Sequence, residues 1–150
     1  MKWLVSVGLL FVSLQVNAHE PWRIVEVSSG VALGVQAVSG ASPKQATVGY
    51  FFAAPTDTHS NGDFVDYTLV GMEFDCYSPQ TRALVQKSYH LNEKQPSLVG
   101  EAVGKWEPIV HPSQQKVWES VCGVKDHALA RLENPAETIK WLRKTDVSSF

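Results

Sequence analysis

Cysteine is scarce in this chain: Cys76 and Cys122 are the only two among 150 residues. Their spacing excludes a Cys-x-x-Cys redox pair. Blocks of like charge are also missing. The 13 basic and 15 acidic side chains are interspersed, for a formal net charge of −2, so there is no basic face to recommend a nucleic-acid partner. After Leu14 no apolar run approaches the ~20 residues that span a bilayer as a helix. The eight prolines and ten glycines are scattered, and no linker or internal repeat stands out. The length suits one domain rather than two. Gly-x-Ser-x-Gly, His-Glu-x-x-His, P-loop and dinucleotide fingerprints are all absent, which makes an enzyme the least supported class.

The N-terminus has the form of a signal peptide over residues 1–18. Lys2 supplies the positive charge, Trp3 to Leu14 the apolar stretch, and Val16-Asn17-Ala18 a cleavage site that leaves His19 first in the mature chain. No cysteine follows to accept a lipid. The expected location is therefore exported: periplasmic or secreted, with the cell surface open. In an oxidising compartment a lone pair of cysteines points to one structural bridge, Cys76–Cys122. The alternatives are two buried thiols, a redox pair or a metal site, and neither the spacing nor neighbouring ligands favour the last two.

Alternating apolar positions predict antiparallel strands. The first runs from Trp22, with Ile24 on one side and Val25 and Val27 on the other. Others cover Val31–Val38, Ala46–Ala54, Phe64–Tyr77 and Arg82–Leu91, with short ones at Leu98–Val103 and Lys105–Val110. In Phe64–Tyr77 the apolar parity switches at Leu69-Val70, which predicts a bulge or twist near Gly71. Ser113 is the expected N-cap of a helix ending at Cys122, with Gly123 in the left-handed C′ position. A weaker helix is expected over Asp126–Leu132. A third starts at Asn134-Pro135 with Glu137 three residues after the cap and runs to Lys144. The fold class is α+β: one antiparallel sheet of about six strands, a helix on one face tethered by the bridge, and a helical C-terminal extension. The boundaries are 1–18 for the signal, 19–123 for the α+β domain and 124–150 for the extension.

The order Glu73-Phe74-Asp75-Cys76, Arg82, Gly104-Lys105-Trp106-Glu107-Pro108-Ile109-Val110, Pro112-Ser113 and Val121-Cys122-Gly123 resembles the surface-adhesin protein E family of exported bacterial domains, found mainly in Gram-negative organisms. The resemblance spans Tyr67 to Gly123. It implies a single antiparallel sheet with a helix on its concave side tied by the cysteine pair, and a non-catalytic role in binding proteins. The partner would be a host matrix or serum protein, or a protein of the envelope.

Other constellations are thinner. An N-terminal His19 could hold Cu(II) with one of His59, His90, His111 or His127, which makes a periplasmic copper protein the first alternative. An envelope assembly accessory is the second. No motif asks for a cofactor. Asp57, His59 and Asp63 share one polar loop, where loop chemistry explains them. Trp106 and Trp118 are expected to pack sheet against helix; Trp22 and Trp141 flank the core, where packing is the favoured reading and an exposed contact surface the alternative. Lys116, Lys125, Lys140, Arg143 and Lys144 read as a solvated helix face.

Overall fold

The computed structural model describes residues 20–101 and 103–145. Residues 1–18, expected to be a signal segment, and His19 lie outside them. Five long strands follow one another: β1 (Trp22–Ser28), β2 (Val31–Ser39), β3 (Lys44–Asp57), β4 (Phe64–Asp75) and β5 (Gln80–Tyr89). The shorter β6 (Leu98–Glu101) and β7 (Glu107–Pro108) both pair with β5. The helix α1 (Pro112–Cys122) precedes a three-residue strand, β8 (Ala130–Leu132), and a second helix, α2 (Pro135–Lys144). The sheet is eight-stranded rather than of about six strands: seven follow the order β6-β5-β4-β3-β2-β1-β8, and β7 adds to β5 off this path. All of its pairings are antiparallel.

The expected helix over Asp126–Leu132 does not form. Its last three residues pair with Trp22–Ile24 as β8. A segment so short has no helical periodicity to defend, and an open sheet edge offers its backbone immediate partners.

Alternation along the strands gives the sheet two buried faces. On the first, Leu33, Val35, Val48 and Phe74 meet Val117, Trp118 and Val121 of α1. On the second, Trp22, Ile24, Phe51 and Tyr67 meet Ile139 and Leu142 of α2. Each such side chain contributes about 1.5–3 kcal/mol when fully buried. The register of β1 slips between Ile24 and Glu26. Val25 therefore joins the α1 face while Val27 returns to the α2 face with Ile24, contrary to the simple alternation.

The parity switch in β4 has a different origin from the one its sequence suggests. β4 runs against β3 in unbroken register from Tyr67 to Phe74. Its first half buries Tyr67 and Leu69 on the α2 face, and its second half buries Met72 and Phe74 on the α1 face. A register shift does occur beside Gly71, but the extra residue is Leu84 of β5, since Gly71 pairs with Val85 and Met72 with Ala83.

α1 starts two positions earlier than an N-cap at Ser113 implies. His111 is the N-cap, in extended conformation, and Pro112 takes the first helical position, where its missing N–H costs nothing. Gln114 Oε1 accepts from the His111 amide at 3.3 Å. Gly123 closes the helix at φ 71°, as expected. α2 is capped by Asn134, whose Oδ1 accepts from the Glu137 amide at 2.9 Å. No helix among the described residues is long and apolar enough to cross a membrane.

Candidate functional site

Both helices lean on the same half of the sheet. α1 packs on β1 to β4, and α2 on β2, β3 and β8. Beyond α1, the first face carries Tyr50 and Phe52 from β3, Val70 and Met72 from β4, and Ala83 from β5. Together with Thr58 they form a trough of ≈ 360 Å³. A smaller hollow of ≈ 90 Å³ continues from it under the start of α1, sharing Tyr50 and Met72 and adding Phe74, Ile109 and Val117. Tyr50 and Phe52 project together because residues two apart share a face. Val70, opposite Val48, falls on the same side.

No acidic or basic side chain lines either hollow; the polar groups are hydroxyls and amides such as Thr68 and Gln86 in the trough and Ser113 and Gln114 in the hollow. Tyr50 is 37% exposed, yet burial of its inner flank pushes the phenol above its ordinary value, so it stays neutral at physiological pH. The site can grip apolar surface and offer a few hydrogen bonds. It holds no charge with which to drive proton transfer.

The loop after β3 closes one end of the trough. Asp57 accepts from the amides of Gly62 at 2.7 Å, His59 at 3.1 Å and Asn61 at 3.3 Å. These bonds, Gly62 foremost, hold its carboxyl below the usual range. His59 Nε2 lies 3.4 Å from Ser88 Oγ and 3.3 Å from Gln86 Nε2, and Ser88 Oγ lies 2.9 Å from Thr68 Oγ1. Asp63 pairs with His90 at 3.3 Å. The three residues singled out in this loop therefore turn to three different partners. Ser88 beside His59 has the look of a nucleophile and its base, but Ser88 is 0% exposed and no substrate can reach it.

The remaining histidines are dispersed: His111 caps α1, and His127 hydrogen-bonds Glu119 near the other end of that helix. Among the described residues no group of three His, Cys, Asp or Glu side chains converges to hold a metal.

The Cys76–Cys122 bridge is formed, with Cα atoms 5.5 Å apart. Around it Trp118 Nε1 donates to the Asp75 carbonyl at 2.8 Å and Lys44 Nζ to the Val121 carbonyl at 3.4 Å, so the C-terminal end of α1 is fastened several times over. The tryptophans divide: Trp22 and Trp118 are buried in the core as expected, and Trp106 is not. Trp22 is 1% exposed and meets Phe51 edge to face at 5.1 Å. Trp106 does not pack sheet against helix. It is 37% exposed and carries the Arg82 guanidinium 4.9 Å from its ring centre. Arg82 Nε bonds Glu73 at 2.5 Å, and Gln45 adds a second donor, so Glu73 is held below its usual range, chiefly by Arg82. Trp141 is half-buried against the α2-face cluster. Nor is Arg143 merely solvated: its Nε donates to the Ala53 carbonyl at 2.8 Å and its Nη2 lies 3.5 Å from Asp66.

Two features escaped the sequence reading. One is the trough, whose signal was the alternating Tyr50-x-Phe52 and Val70-x-Met72 on neighbouring strands. The other is an aromatic row across the second face, Trp22, Phe51, Tyr67 and Tyr89, made possible by the paired glycines Gly34 and Gly49. A Cβ on Gly49 would sit 2.6 Å from the Phe51 ring. Comparison with known proteins finds no matching family model, no matching curated protein and no matching solved structure.

Proposed function

We propose that this chain is an exported, non-catalytic domain of the surface-adhesin protein E type that binds another protein, from the host matrix or from the envelope, through the trough beside α1. The observation that carries the reading is an uncharged apolar trough with a half-exposed tyrosine at its centre, next to a helix fixed by a disulfide. Rigid walls lower the entropy cost of docking, and buried tyrosines are among the side chains that dominate protein contacts. The signal-like N-terminus and the bridge both suit an exported protein.

The test has two parts. N-terminal sequencing of protein recovered from the cell should read from His19. Envelope and matrix proteins captured by the mature chain, mapped by cross-linking, should contact the trough. Tyr50→Ala should weaken that binding by about 2 kcal/mol, roughly 30-fold. Undiminished capture by Tyr50→Ala, with cross-links elsewhere, would reject the trough as the binding face.

A further inference from the structure

The opposite border of the sheet carries a second, separate opportunity. β8 pairs with β1 only along Trp22–Ile24. The last bond on that edge runs from the Leu129 amide to the Ile24 carbonyl, 2.7 Å. Toward its N-terminal side the chain then veers to α1, where His127 is held by Glu119. Along Val25–Ser28 no strand among the described residues occupies the outer edge of β1. A groove of ≈ 490 Å³ lies there instead, walled by Lys116, His127 and Leu129.

Hairpin geometry fixes what this edge presents. Ser29 and Gly30 form a two-residue turn with φ of 50° and 77°, flanked by the pair Ser28–Val31. In such a turn the flanking residues bond each other, as do the residues two positions on, Glu26 and Leu33. Val27, between them, must direct its N–H and C=O away from β2, into the groove.

The side chains add a polarity. Val27 belongs to the α2-face cluster, and Glu26 faces α1. Among the described residues Glu26 Oε2 is shielded from solvent and accepts no hydrogen bond; Lys116 Nζ lies 3.5 Å away. Leu129 at the rim is 48% exposed.

We propose that this edge takes up an extended segment of another protein by strand addition. The incoming segment runs antiparallel to β1, continuing the line that β8 begins. It places a basic side chain opposite Glu26 and an apolar one beside Val27. Continuity with the existing β1–β8 ladder supplies the register, and the undersatisfied carboxylate supplies the charge preference.

The experiment selects short random peptides against the mature chain and compares three variants. Enriched peptides should alternate basic and apolar residues and should slow exchange of the Val27 amide. Val27→Pro, which removes the outward N–H, should weaken them about tenfold, the scale of one or two backbone hydrogen bonds. Glu26→Lys, which leaves the backbone intact and so decides the matter if Val27→Pro does not fold, should convert the basic preference to an acidic one. Tyr50→Ala should change nothing, which separates this edge from the trough. The proposal is overturned by no enrichment, by peptides indifferent to both edge variants, by loss on Tyr50→Ala, or by an edge already filled through self-association of the chain.

Discussion

The two faces of the sheet are held by different means. On the α1 face a helix is stitched at its C-terminal end by a covalent bond, an indole hydrogen bond and a lysine. On the α2 face nothing is covalent; an aromatic row, a capped helix and the Arg143 tie do the work. The open trough lies on the covalently secured face. A surface kept open for binding forgoes some burial, and a cross-link acting on the unfolded chain can offset that loss without covering the groove.

The largest test of this contrast is removal of the bridge. With a sequence separation of 46, Cys76→Ser with Cys122→Ser should cost about 4 kcal/mol, read as a lower urea midpoint. A loss below about 1 kcal/mol would mean that packing alone holds α1, and the contrast would fail. Next is Leu142→Ala in α2, a 1% exposed side chain, which should cost about 3 kcal/mol. Its effect should persist in the bridge-free variant if the faces are secured independently, and shrink if they are not.

The smallest effect depends on pH. Glu73 is depressed below its ordinary value by Arg82 and Gln45, so its contribution is present at neutral pH and disappears as pH falls below about 4.5 toward its folded value. Glu73→Gln should flatten that acid limb in urea titrations. An unchanged limb would place the acid sensitivity in the other depressed carboxylates, Asp57, Asp126 and Glu119, the last held low by Gln115 and His127 beside α1.

Much of the architecture was legible because it rests on local rules. Five long strands, the Gly123 terminus of α1 and the Asn134-Pro135 start of α2 each follow from alternation or cap chemistry. Apart from the α1 cap, which moved to His111, the misses share one cause: they depend on which strand lies beside which. β8 is a three-residue edge strand whose sequence has no period to read. Trp106 lies outside the sheet–helix core expected for it because the Arg82 stack assembles across strands. The trough is made of residues on three strands and the loop after β3, and its openness follows from α1 lying over β1 to β4, a tertiary placement that local residue patterns do not encode.

β4 has a mechanical consequence. Tyr67 and Leu69 serve one core, and Met72 and Phe74, a few positions along the same unbroken strand, serve the other. Loosening either helix therefore tugs on a spine that both half-cores share. A chain built this way is expected to melt in one concerted step, so that damage on the α2 face is felt at the trough.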